Sequence, residues 1–184
     1  MISKRALASA FAMAPTSRRQ ASALFSTKIP RPAVSVCVQC QLQDETYYLL
    51  VQRGKEPNKG CWSLAGGKLE WGETAVEGGI RELEEETKWE TEDWNQLQWY
   101  PNTVCTSDSI GEGYHYLIAQ CFARLDRPDG CLPSLIAADD AADVDWWTLD
   151  RMKKDDNVIP GVISVVQRVE ALSESGLLPT QRQS

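Results

Sequence analysis

Residues Gly67–Trp89 read GKLEWGETAVEGGIRELEEETKW, and most of this stretch has the pattern of one helix. Thr74 can cap its start, with Glu77 three residues on as the reciprocal partner of a capping box. Val76, Ile80, Leu83 and Thr87 recur at helical spacing and predict a buried stripe. At about 100° per residue, Glu82, Glu85 and Glu86 share a face about 100° wide beside that stripe. Glu84, Glu77, Arg81 and Lys88 fall on the outer side, where Glu77–Arg81 and Glu84–Lys88 can pair at i,i+4. Gly78-Gly79 sits inside the helix, at a cost of about 1 kcal/mol each against alanine. Either the helix packs very closely on a strand there, or its first turns are soft.

Three carboxylates on one face without an intervening cation repel one another. A solvated acidic face is the plain reading of such a run. A divalent cation would turn the repulsion into binding, and clustered oxygen ligands with room for water suit Mg²⁺, with Mn²⁺ as a second fit.

The spacing as a whole decides between these. Gly-x5-Glu-x7-Arg-Glu-Leu-x-Glu-Glu, placed on Gly67, Glu73, Arg81, Glu82, Leu83, Glu85 and Glu86, closely resembles the signature of the Nudix hydrolases. The family pattern continues with a glycine and an apolar residue, where this chain has Lys88 and Trp89. The change removes the residue best suited to a left-handed helix end, so the helix could run on toward Trp94. The resemblance implies an α+β fold, an α/β/α sandwich with a mixed β-sheet, over roughly residues 33–175. It also implies metal on Glu82, Glu85 and Glu86, completed by the Gly67 carbonyl, with Glu73 and Arg81 paired to fix the loop against the helix.

The 184 residues suffice for one domain with a real core. The net charge of −7 is unevenly spread, since residues 1–33 carry six cations and no acid. An acidic body repels a nucleic-acid backbone, and no stretch is long and apolar enough to span a membrane. The expected partner is therefore a small-molecule nucleotide, with neither nucleic acid nor membrane; a homodimer stays open. Residues 1–32 have the Ala-, Ser- and Arg-rich character of a targeting segment. A mitochondrial address is expected, with plastid and cytoplasm as alternatives. The domain is expected over 33–176, and 177–184 as a loose tail.

Six cysteines could form disulfides, and Cys37-x2-Cys40 could hold zinc. No second pair completes such a site, and positions three apart on a strand face opposite ways. Reduced, partly buried thiols are expected.

Val34, Val36 and Val38 alternate with Ser35, Cys37 and Gln39 as a strand. Tyr47–Arg53 is a second strand, apolar enough for burial on both faces. Arg53 to Gly60 is a loop with three cations, of which Arg53 and Lys59 are candidates for phosphate contact. Trp62–Ala65 leads into Gly66-Gly67, where glycine permits close approach of backbone to a ligand. Gln98–Thr106 reads as an interrupted strand, Ser107–Gly113 as a flexible loop, Tyr114–Leu125 as a strand, and Asp126–Asp143 as an acidic loop ending in Asp139-Asp140. Val144–Leu149 is a further strand, and Val158–Leu172 a helix against the sheet. His115 reads as structural and Trp146-Trp147 as core.

These features predict hydrolysis of a phosphoanhydride. Glu82, Glu85 and Glu86 would hold metal, with a box glutamate or Glu112 as general base. Nudix enzymes cleave nucleoside diphosphates linked to another moiety. The GYHYLIAQCFA strand and the Asp139-to-Trp146 passage look most like ADP-ribose pyrophosphatases, which yield AMP and ribose 5-phosphate. The alternatives are a hydrolase of oxidised nucleoside triphosphates, or a nucleotide-binding module on an inactive fold. Intact Glu82, Glu85 and Glu86 argue against the latter.

Overall fold

The computed structural model describes residues 29–89, 97–100, 104–110, 114–126 and 130–176. The basic segment before Ile29, the tail 177–184 and Glu112 lie outside the described residues.

Eight strands form one mixed sheet: β1 (Arg31–Leu42), β2 (Glu45–Arg53), β3 (Trp62–Ser63), β4 (Ala65–Lys68), β5 (Gln98–Trp99), β6 (Val104–Ile110), β7 (Tyr114–Asp126) and β8 (Ala141–Trp147). The central path runs β3-β2-β1-β7-β5, with β4 on β1, β6 on β7 and β8 on β2. Only the β1–β7 pair is parallel among these ladders, running from Arg31↔Tyr116 to Gln41↔Asp126. The helices are α1 (Ala75–Thr87), α2 (Leu149–Met152) and α3 (Pro160–Glu174).

Period-two alternation sorts the central strands into two cores. Val34, Val36, Val38 and Cys40 of β1, Leu49 and Val51 of β2, and Cys121, Ala123 and Leu125 of β7 face Leu83 of α1 and Trp89. Cys37, Tyr48, Leu50 and Phe122 face the other way, onto Val162, Val165, Val166 and Val169 of α3. The sheet is thus covered on both faces, as expected for the α/β/α sandwich. Cys37 and Cys40 lie in opposite cores, so they cannot share a zinc ion. Among the described residues Cys37, Cys61 and Cys131 are free cysteines. Trp146 and Trp147 also divide between the two cores. Trp146 meets Trp89 edge-on at 6.0 Å, and Trp147 stacks at a tilt on Trp62 at 4.9 Å.

The structure departs from the expectations in four places. Ser107–Ile110 is strand rather than loop, because β6 pairs continuously with β7 from Val104↔Gln120 to Ile110↔Tyr114. The short α2, capped by Thr148 accepting from the Arg151 amide, was not expected. The helix α1 stops at Thr87, where Lys88 itself takes the left-handed conformation (φ 43°, ψ 27°). Its buried face is also rotated. Gly78, Gly79, Leu83, Glu86 and Thr87 are buried, while Val76 and Ile80 are half-buried. The close-packing explanation of Gly79 holds: a Cβ there would stand 2.8 Å from Val36 Cγ2. One residue back, a Cβ on Gly78 would meet Glu73 Oε1 at 2.8 Å.

Candidate functional site

The site is built where β4 passes under α1. β4 runs antiparallel to β1, pairing Ser35 with Gly66 and Val34 with Gly67. A Cβ on Gly66 would lie 2.3 Å from the Val34 carbonyl oxygen, and one on Gly67 would lie 2.5 Å from Glu82 Oε1. Glycine is required at Gly66, where the clash is with the β1 backbone; at Gly67 a Cβ would displace the end of the Glu82 side chain. No side chain then separates the Gly67 backbone from the Glu82 carboxylate.

The start of α1 is fixed by the capping box expected from sequence. Thr74 Oγ1 accepts from the Glu77 amide at 3.2 Å, and Glu77 Oε2 accepts from the Thr74 amide at 2.7 Å. Glu77 is therefore committed to the cap rather than to Arg81. Arg81 turns inward, against the expectation of an outer-face pair. Its Nη2 donates to Glu73 Oε1 at 2.8 Å and to the Lys68 carbonyl at 2.9 Å, and its Nε to Glu73 Oε2 at 3.2 Å. Its Nη1 donates to Glu82 Oε1 at 2.8 Å and to Glu85 Oε2 at 3.2 Å. The expected Glu73–Arg81 pair is present. The expectation of carboxylates without an intervening cation is corrected, since one guanidinium serves Glu73, Glu82 and Glu85 together. The Glu73 carboxyl is held below its ordinary range by Arg81 and by the Glu70 amide.

Glu86 faces the interior, 6% exposed, and its Oε2 accepts from the Gly66 amide at 3.0 Å. Burial pushes its carboxyl up to about 8, against the pull of that amide, with Glu82 and Asp140 adding to the rise and Arg53 opposing it. Burial also raises Glu82, with Arg81 opposing.

Asp140 reaches this cluster by a route invisible along the chain. The Ile136 amide donates to the Thr87 carbonyl and the Ala138 amide to the Glu86 carbonyl, both at 2.9 Å. The loop before β8 thus satisfies two orphan carbonyls at the end of α1 and sets Asp140 beside Glu82 and Glu86. The Gly54 amide donates to the Asp140 carbonyl at 2.8 Å, and Lys55 Nζ lies 3.8 Å from Asp140 Oδ2.

Arg53 stands at the edge of the cluster, with its Nε donating to the Pro57 carbonyl at 2.7 Å. Among the described residues, no hydrogen bond or ion pair joins exposed Lys59 to the carboxylates. His115 is exposed on β7. Asp140 and Lys55 are the polar groups that sequence reasoning did not place here; the acidic end of the 126–143 loop was the one available signal.

Glu82, Glu85, Glu86 and Asp140 offer oxygen donors only, the chemistry of Mg²⁺ or Mn²⁺. Burial, and after it the negative charge of Glu82 and Asp140, raises Glu86; a cation would relieve that charge, so the residues fit one. Among the described residues no three acidic side chains converge at ligand spacing, because Glu82 and Glu85 are turned onto Arg81 and Glu86 onto Gly66.

The NUDIX domain family model matches residues 29–167. The chain belongs to that family. It is 42% identical over 53 residues to an ADP-ribose pyrophosphatase of Methanocaldococcus jannaschii, covering 29% of this chain and 31% of that protein. In fold it resembles the Ap4A hydrolase of C. elegans, with a TM-score of 0.64 at 19% identity, covering 79% of this chain and 98% of that one. It also resembles a bifunctional NMN adenylyltransferase/ADP ribose pyrophosphatase from Francisella tularensis, whose structure holds AMP and a Mn ion. There the TM-score is 0.61 at 25% identity, covering 85% of this chain and 45% of that one. The stretch shared with the archaeal pyrophosphatase spans about a third of that protein's length.

Proposed function

We propose that this Nudix protein is a divalent-metal-dependent hydrolase of nucleoside diphosphates linked to a second moiety, with ADP-ribose as substrate and AMP and ribose 5-phosphate as products. The observation that carries the reading is the seating of two acids of α1 on the glycine ribbon, Glu86 on the Gly66 amide and Glu82 against Gly67, with the charge of Asp140 nearby. The likeness to two proteins named as ADP-ribose pyrophosphatases supports the choice of substrate.

Glu82, Glu85 and Glu86, with the Gly67 carbonyl, are the groups that would hold Mg²⁺ or Mn²⁺. Such an ion supplies charge neutralisation at the diphosphate and a bound water of lowered pKa. The protein's own part is positional. The Gly66 amide fixes the rotamer of Glu86 from one side, and the Ala138 amide fixes its backbone from the other. Arg81 ties Glu73 and the Lys68 carbonyl to the helix, which holds the chain next to Gly67 against the acids of α1. Arg53 brings a positive charge to the rim, suited to a phosphate oxygen. A glutamate of the cluster takes the proton of the attacking water as the phosphoanhydride breaks.

The test is to incubate the full chain with ADP-ribose, with and without Mg²⁺, and separate the products. AMP appearing only with metal is the expected result. A folded protein that releases no AMP overturns the substrate. A Glu85→Gln variant with undiminished metal-dependent turnover overturns the assignment of the site.

A further inference from the structure

The loop Arg53–Gly60 carries three cations, Arg53, Lys55 and Lys59. Sequence position gives no reason to choose Lys55 over Lys59, but the fold does. Residue 54 is seated on the Asp140 backbone by its amide, at 2.8 Å, and the fit is so close that a Cβ on Gly54 would stand 2.5 Å from the Asp140 carbonyl oxygen. The next residue therefore starts at the wall of the carboxylate cluster, and its ammonium reaches Asp140 Oδ2 at 3.8 Å. Asp140 is in turn two residues from Ala138, whose amide is bonded to the Glu86 backbone. A continuous path of contacts leads from Lys55 to the acids over Gly66-Gly67. Lys59 is one residue from Gly60, whose amide is bonded to the Arg53 carbonyl at 2.7 Å, but among the described residues its ammonium makes no ion pair with the carboxylates, as that of Lys55 does.

The Lys55–Asp140 pair is long and solvent-exposed, with side-chain exposures of 68% and 39%. An ion pair of this kind contributes little to stability, so fold maintenance does not explain a lysine held there. It holds an exposed ammonium at the lip of the acid cluster, adding to the charge that Arg53 brings to the rim, where an anionic substrate would enter. A cation held by Glu82, Glu85 and Glu86 would compete for the charge of the neighbouring Asp140 and weaken its hold on the ammonium of Lys55.

We propose that Lys55 is a substrate-binding residue: on assembly of the site it exchanges Asp140 for a phosphate oxygen of the nucleoside diphosphate group, whereas Lys59 on the same loop does not. This rests on the hydrolase reading above. Lys55 acts as a point charge that binds the phosphate in ground and transition states alike, so its loss raises KM more than it lowers kcat.

The test compares Lys55→Ala, Lys55→Arg and Lys59→Ala in the full chain with ADP-ribose and Mg²⁺. Removing a charged partner of phosphate should raise KM about tenfold or more in Lys55→Ala, with Lys55→Arg closer to wild type. Lys59→Ala makes the same change in net charge and should leave KM within about twofold of wild type. Direct binding of ADP to the Mg²⁺-loaded proteins, by calorimetry, should weaken in the same order. Equal effects of Lys55→Ala and Lys59→Ala would reduce the role to general electrostatics and overturn the proposal, as would an unchanged KM and ADP affinity in Lys55→Ala. If wild-type protein hydrolyses no ADP-ribose, the hydrolase reading fails separately, while ADP calorimetry still tests Lys55.

Discussion

The carboxylate of Glu86 accepts the Gly66 amide at 3.0 Å, a bond that joins the helix of acids to the glycine ribbon. It leaves a nearly buried acid facing two others, Glu82 and Asp140, and burial lifts its carboxyl from 4.5 to about 8. The folded state then holds the Glu86 proton more tightly than the unfolded chain does. That contribution to stability is complete below about pH 4.5 and is lost as pH rises through about 8. Without divalent cation, the thermal midpoint should fall between these limits. Glu86→Gln, which keeps an acceptor for the Gly66 amide but carries no charge, should flatten the fall and be the more stable protein at pH 8. A wild-type midpoint that rises across this window would remove the basis for the argument. Binding of Mg²⁺ that ionises Glu86 should release a proton and strengthen as pH approaches 8.

Arg81 is the second fixed point. Its fork reaches Glu73, Glu82, Glu85 and the Lys68 carbonyl at 2.8 to 3.2 Å. A lysine ammonium at the same place cannot meet this planar, many-donor geometry. Arg81→Lys should retain the fold but loosen the Gly67 loop. An activity loss of about tenfold or more in kcat/KM is expected, because ground-state charge is kept and only orientation is lost. Steady-state kinetics beside thermal unfolding separates this from simple destabilisation. Full activity in Arg81→Lys would reduce the fork to a single ion pair.

Local chemistry carried most of the fold into the sequence. The capping box of α1, the alternation of β1 and the period of α3 all depend on neighbours within a few residues. The rest depended on distant partners. Ser107–Ile110 holds no apolar alternation, and its strand exists because β7 supplies the ladder. The buried face of α1 was misplaced because glycines make the closest contact while adding nothing to a hydrophobic pattern. At the site, the box acids were legible from spacing, whereas Asp140 and Lys55 arrive by the 136–140 loop folding back over the end of α1. Arg81 was assigned to the outer face because helical angle alone ignores the reach of a long side chain.

Gly79 and Val36 give the packing prediction. Gly79→Ala would improve helix propensity by about 1 kcal/mol. It would also place a methyl 2.8 Å from Val36 Cγ2, a buried side chain with no free end to move. Overpacking of this kind typically costs about 1–3 kcal/mol, so net destabilisation is expected by denaturant unfolding. In a Val36→Ala background the same change should be neutral or stabilising. A double-mutant cycle showing no coupling would mean that the helix can move away from β1.

Lys88 gives a prediction of opposite sign. It stands where the family pattern has glycine, and it adopts φ 43° and ψ 27° at the end of α1. A residue with a Cβ is strained in that region, by about 1 kcal/mol or more. The exposed side chain makes no hydrogen bond or ion pair among the described residues that would offset this. The carbonyls it might have helped are taken by the Ile136 and Ala138 amides. Lys88→Gly should therefore raise stability by about 0.5–1 kcal/mol, net of the added freedom of the unfolded chain. It should leave turnover unchanged, because Glu85 and Glu86 lie before the cap and keep their helical geometry. If Lys88→Gly is destabilising, the lysine must contribute an interaction that outweighs its backbone strain. If it alters turnover, the helix end and the acids before it are coupled through the loop that delivers Asp140.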